Sequence, residues 1–191
     1  MNNKKGMLKK IAIILLFSMV ACNSNQKSKK DEIAKMKFVV TDSLLGNFVH
    51  DSIRNFSIRV PKGIEKTILS SEDEDKLTTA GFKALYFSSK NGTNFMVIDL
   101  NKLSDSIFIK YHHQLETTLI NNKQLKKVSI DSFYSNEYLF KQFMSLTDST
   151  VYLKLLLSNY KKGHYEIDFS MPINLYNQQS RTIESVLGSI K

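Results

Sequence analysis

Polar and apolar residues alternate along Asn55-Phe56-Ser57-Ile58-Arg59-Val60, the period of a half-buried strand, and Pro61-Lys62-Gly63 stops the run. Two further runs, Phe82 to Phe87 and Phe95 to Leu100, flank Lys90-Asn91-Gly92, and an Asn-Gly pair between such runs predicts a β-hairpin. The period then lengthens. Ser104 and Asp105 are fit to cap a helix starting near Ser106, in which Ile107, Tyr111, Leu115 and Leu119 recur every four residues, and Asn121-Asn122 ends it. Four more strands are expected at Gln124–Ile130, Glu137–Met144, Val151–Asn159 and His164–Met171, the last two joined by a bulged turn at Lys161-Lys162-Gly163. Pro172 closes the final strand, and Leu175, Ile183, Val186, Leu187 and Ile190 line one face of a terminal helix. Consecutive strands joined by tight turns pair antiparallel. The pattern therefore predicts an α+β fold: a single domain with a twisted antiparallel sheet flanked by helices.

The start of the chain has a different pattern. Four lysines lie in residues 1–10, and Ile11 to Ala21 is apolar except for Ser18. Eleven helical residues rise about 16 Å, near half of a bilayer's hydrocarbon core, so the run is too short to span and reads as the apolar region of an export signal. It ends on Met19-Val20-Ala21-Cys22, and Cys22 is the single cysteine of the chain. This tetrad resembles the lipobox of bacterial lipoproteins. The resemblance implies cleavage before Cys22, a diacylglyceryl thioether on its sulfur and attachment to the membrane through that lipid. Asn23, rather than aspartate, follows the cysteine, which directs the expectation to the outer membrane of a Gram-negative bacterium. Asn23 to Lys37 is polar and charged without a sustained apolar period. The expected organisation is thus a signal peptide over 1–21, a lipidated cysteine and flexible tether over 22–45, and a globular domain over 46–191.

Of the formal charge of +9, six belong to these N-terminal segments. After Asp42, 18 Lys and Arg stand against 15 Asp and Glu, so the folded part offers no basic stripe and no nucleic-acid partner is expected. One cysteine permits no internal disulfide and no cysteine-based metal site.

Candidate chemistry is sparse. His164, Glu166 and Asp168 alternate on one face of a predicted strand, opposite Tyr165, Ile167 and Phe169, and three titratable groups at that period can serve acid–base work. The same alternation fits the outward face of a one-sided sheet. Adjacent His112 and His113 point about 100° apart on a helix and do not share an ion, whereas His112 and Glu116 share a face as a surface pair. Glu72 to Asp75 reads as a solvated acidic loop. No glycine-flanked serine nucleophile and no phosphate-cradling loop occur. No catalytic residue, cofactor or metal site is expected. Tyr134, Tyr138, Phe140 and Phe143 gather in one strand region, as core residues or as an aromatic-lined binding face.

The Phe56-Ser57-Ile58-Arg59-Val60-Pro61-Lys62-Gly63 opening, the hydrophobic strand before a long helix, and the terminal helix after Met171-Pro172 are together similar to the PsbP/Mog1/DcrB-like superfamily. That resemblance covers residues 50–191 and implies an assembly or binding accessory without a catalytic centre. The function expected is a lipid-anchored envelope lipoprotein with a non-enzymatic binding domain and an envelope protein partner. The alternatives are a lipid-anchored hydrolase working through the His164/Glu166/Asp168 face and a structural component of the envelope.

Overall fold

A computed structural model describes residues 33–51 and 55–191, and the leader, Cys22 and the start of the tether lie outside the described residues. Ten strands and three α-helices follow in order. They are β1 (Ala34–Lys35), β2 (Leu45–Asp51), β3 (Phe56–Pro61), β4 (Glu65–Thr67), α1 (Ser71–Thr79), β5 (Lys83–Ser88), β6 (Asn94–Asp99), α2 (Asp105–Asn121), β7 (Lys127–Ser135), β8 (Tyr138–Leu146), β9 (Thr150–Asn159), β10 (Gly163–Pro172) and α3 (Tyr176–Gly188). Eight strands form one sheet in the order β1-β7-β8-β9-β10-β6-β5-β4, while β2 and β3 make a separate antiparallel ribbon. Only β1 runs parallel to its neighbour. The expected α+β class with an antiparallel sheet is the architecture present.

Each face of the sheet has its own core, because along each strand successive side chains point to opposite sides. On one side the ribbon and α3 cover Phe140, Leu155, Leu157, Tyr165, Ile167 and Phe169 with Phe56, Ile58, Val186, Leu187 and Ile190. On the other, α2 covers Ile98, Leu100, Phe143 and Leu156 with Phe108, Tyr111, Leu115 and Leu119. Tyr111, Leu115 and Leu119 of the expected stripe of α2 face this core, and only its first member differs. Phe108 is the buried member, and Ile107 stays half exposed at 50%. Ser104 stands at the N-cap without a side-chain capping bond.

Three expectations need correction. The tether expected over 22–45 already belongs to the domain from Ile33 onward. There β1 pairs with β7, Phe38 packs edge-on against Phe133, Thr41 N donates to Ser185 Oγ at 3.1 Å, and Leu45 is buried. The apolar residues Phe38 and Leu45, interspersed without a regular period, are what draw this segment in. The acidic loop at 72–75 is instead the first turn of α1. Ser70 caps it, its Oγ accepting from Asp73 N at 3.2 Å, and carboxylates at a helix start are favoured by the helix dipole. The strand expected to end at Ile130 runs on to Ser135, into a two-residue turn in which Asn136 and Glu137 both have positive φ.

Candidate functional site

Of the alternate residues of β10 that face away from Tyr165 and Ile167, His164 and Glu166 lie beneath α2 and are covered, while the Asp168 side chain, 22% exposed, stands at the edge of that cover. His164 is 8% and Glu166 2% exposed. The three do not meet at one point, since same-face neighbours on a strand stand about 7 Å apart: His164 takes partners of its own, while Glu166 and Asp168 share Lys154. His164 stacks on Phe108 with ring centroids 4.1 Å apart, and its Nε2 lies 2.9 Å from Asp105 Oδ1. Glu166 accepts from Tyr111 Oη at 2.5 Å and pairs with Lys154, whose Nζ also reaches Asp168 Oδ2 at 2.7 Å.

Two members of this cluster escaped the sequence reading. Tyr111 counts as an apolar position in the helical stripe, and only its hydroxyl turns out to be used. Lys154 interrupts the otherwise apolar Leu153 to Leu157 stretch of β9, and that interruption is the signal of a buried cation. Register places it opposite Asp168, and Glu166 sits opposite Leu156 on the adjoining row.

One ammonium thus serves two carboxyl groups, of which Glu166 is enclosed and Asp168 mostly buried. Burial works against the Lys154 charge, but the charges and hydrogen bonds of Asp168 and Glu166 outweigh it and hold its pKa above the ordinary value. Burial, followed by the charge of Glu166, pushes Asp168 up to about 7 against the pull of Lys154. Its Oδ1 is enclosed with no partner among the described residues, the place where an added proton would sit. Burial and the Glu166 carboxylate together raise the phenol of Tyr111 far above the usual tyrosine range. Asp168 Oδ1 apart, the charged groups of the cluster are thus spent on one another.

His112 and Glu116 go separate ways. Glu116 binds Lys141 at 2.9 Å, and that hydrogen bond and charge hold its carboxyl below the usual range. Burial, then the positive charge of Lys141, lowers His112 to about 4, so it is a neutral ring wedged between Phe108 and Phe143. Of the aromatic group, Tyr138 and Phe140 fill one core and Phe143 the other, while Tyr134 is 41% exposed at the sheet edge.

Beyond the cover of α2 the same sheet face opens. Across β6, β10 and β9 the next row is Asn94, Ser170 and Tyr152, by register. With Tyr86, Lys154 and Asp168 these residues line a shallow depression of about 170 Å³ whose floor includes Met96. Tyr86 Oη donates to Asn94 Oδ1 at 2.9 Å and Asn94 Nδ2 to Ser170 Oγ at 3.0 Å, which orients the amide and leaves Tyr152 44% exposed beside it. Tyrosine rings beside oriented amide and hydroxyl groups suit binding rather than bond breaking.

No protein-family model and no curated protein sequence matches the chain. Several solved structures are similar in trace, two of them as follows. The solution structure of cyanobacterial PsbP (CyanoP) from Synechocystis sp. PCC 6803 is 12% identical, covering 87% of this chain and 97% of that one at a TM-score of 0.49. The Ran-binding protein Mog1p of Saccharomyces cerevisiae is 10% identical, covering 76% of this chain and 94% of that one at a TM-score of 0.44. The α+β architecture stands on the strand order itself, and no activity is transferred from either protein.

Proposed function

We propose that this protein is a lipid-anchored lipoprotein of the cell envelope, held through Cys22 in the outer membrane, whose α+β domain is a non-enzymatic binding accessory. The observation that carries the reading is the coincidence of the single cysteine with the end of the leader's apolar run, in Met19-Val20-Ala21-Cys22. The binding half of the reading is supported by the division of the sheet face. Glu166, Lys154 and Asp168 are engaged with one another from beneath α2 to its edge, and the face beyond presents Tyr86, Asn94, Tyr152 and Ser170. The hydrolase alternative needs His164, Glu166 and Asp168 to address a substrate, and His164 and Glu166 are both enclosed.

Cys22→Ser is expected to abolish incorporation of radiolabelled palmitate and to move the protein from the membrane pellet to the soluble fraction. Retained label, or pelleting that carbonate washing does not reverse, overturns the anchor. Tyr152→Ala tests the binding surface. A half-exposed side chain there contributes within about 0.5 kcal/mol to stability, so the variant is expected to keep its urea midpoint while failing to complement a deletion of the gene. Full complementation by a folded Tyr152→Ala protein moves the binding surface elsewhere.

A further inference from the structure

The described chain begins at one edge of the large sheet, and that edge is unusually greasy. From Ile33 to Val40 only Phe38 turns inward, against Phe133. Ile33, Met36, Val39 and Val40 are 38%, 41%, 74% and 42% exposed, and Tyr134 beside them is 41% exposed. The placement is held firmly, with Lys35 in register with Tyr134 and Met36 N donating to Tyr134 O at 2.8 Å. Single exposed aliphatics are ordinary on a soluble surface; four within eight consecutive residues are not. The same eight residues carry Lys35 and Lys37, both exposed, and no acidic residue. Aliphatic side chains, lysines and a tyrosine at one edge are the composition of surfaces that rest at a lipid headgroup layer.

The position along the chain selects the occupant. Ile33 follows Cys22 by eleven residues, a fully extended reach of under about 40 Å, comparable to the domain's own width. A tether of that length raises the effective concentration of this edge at the membrane to about the millimolar range, so a patch too weak to bind alone is sufficient when attached. In the sequence just before Ile33, Lys27, Lys29 and Lys30 stand against Asp31 and Glu32, a balance of +1. A second copy adding a strand has little to hold, because β1 offers two residues.

We infer that the Ile33–Val40 edge, with Tyr134, is a membrane-resting face that seats on an anionic phospholipid surface and fixes the domain's orientation on its lipid anchor. The inference rests on the anchor proposed above, but its test does not. The chain lacks tryptophan, so Val39→Trp reports on this edge alone. Ile68→Trp reports on the opposite side, because Ile68 is 86% exposed just after β4, the far edge of the same sheet, seven strand spacings or about 34 Å away. The unacylated chain from Cys22 onward is linked through its single thiol to a maleimide phospholipid in phosphatidylethanolamine/phosphatidylglycerol vesicles containing brominated acyl chains.

The expected result is a blue shift of the Val39→Trp emission and loss of about half of its intensity, with the Ile68→Trp emission unchanged. The loss should largely disappear when Lys35 and Lys37 are both replaced by glutamate or when phosphatidylcholine replaces the anionic lipid. Equal quenching at both positions, quenching at neither, or a blue shift without quenching and with a doubled mass in light scattering overturns the inference. The last outcome assigns the edge to self-association. Because the linkage is chemical, a negative palmitate experiment in cells leaves this readout intact, and a negative readout here leaves the acylation of Cys22 intact.

Discussion

Lys154→Met is expected to destabilise the domain by about 3–5 kcal/mol at pH 7.5, a large part of what a domain of this size possesses. Lys154 is three-quarters buried and, among the described residues, is the one cation paired with Glu166, at 2% exposure, and Asp168. Methionine fills the space of the lysine stem, so the change is chiefly electrostatic: two enclosed carboxyl groups lose their counter-charge. The loss should shrink as pH falls toward 5, because protonation removes the uncompensated charge. Asp168→Asn is expected to have the opposite sign. Its carboxyl rises from the ordinary 3.8 to about 7 in the fold, so across that window the folded chain holds a proton that the unfolded chain lacks. Stability from this group therefore falls as pH rises from about 4 to about 7, and the asparagine variant should gain most on the parent at pH 8 and clearly less at pH 5. Urea midpoints at the three pH values decide it. A Lys154→Met midpoint that moves equally at pH 5 and pH 7.5 means the cluster is solvated and the picture of two carboxyl groups dependent on one buried cation is wrong.

What the residue pattern conveyed and what it withheld follow from how locally each feature is encoded. The β5–β6 hairpin was legible because Asn91-Gly92 is a local turn signal, and Gly92 does take positive φ, at 82°. The β9–β10 turn was legible for the same reason. There the Asn159 side chain accepts from the amides of Lys161 and Lys162, and Gly163 has φ 88°. The β7–β8 turn carries Asn136-Glu137 without a glycine, and it is stabilised from a distance: Asn136 Nδ2 reaches the carbonyls of Leu187 and Gly188 at the end of α3. No local window contains that contact. Helix α1 was missed because its sequence, Ser71 to Thr79, has only Leu77 to place against the core, and capping rather than amphipathicity starts it. The candidate row on β10 was visible as an alternation, but its surroundings were not. Whether His164 and Glu166 face water or a helix depends on where α2 lies, and that is decided by Phe108, Leu115 and Leu119 packing across strands up to about sixty residues away.

The other large effect is expected at Phe56, where alanine should cost about 3–5 kcal/mol. Phe56 is 1% exposed at the start of β3, stacked on Tyr165 with centroids 3.8 Å apart and edge-on to Tyr138 at 6.0 Å. The ribbon that carries it shares no ladder with the large sheet, so side-chain packing of this kind, not backbone pairing, joins the two. Its backbone bonds go instead to the C-terminus. Ser57 and Lys191 exchange N–H to O bonds at 3.2 and 3.0 Å, and Arg59 N donates to Ser189 Oγ at 2.9 Å. Removing the ring should therefore loosen β2, β3 and the end of α3 together, while β7 to β10 keep their ladders. Amide exchange in Phe56→Ala is expected to quicken first in the ribbon and around Lys191. The near-ultraviolet dichroism, which in a tryptophan-free chain comes mainly from tyrosine, should weaken as Tyr138 and Tyr165 lose their ordered neighbour. Phe48 on the same ribbon supplies the contrast. It is 55% exposed with Arg59 and Lys191 over its ring, and its alanine variant should stay within about 0.5 kcal/mol of the parent. If the two variants lost equal stability, burial against Tyr165 would not be what holds the ribbon down, and the division of the molecule into two separately packed faces would have to be abandoned.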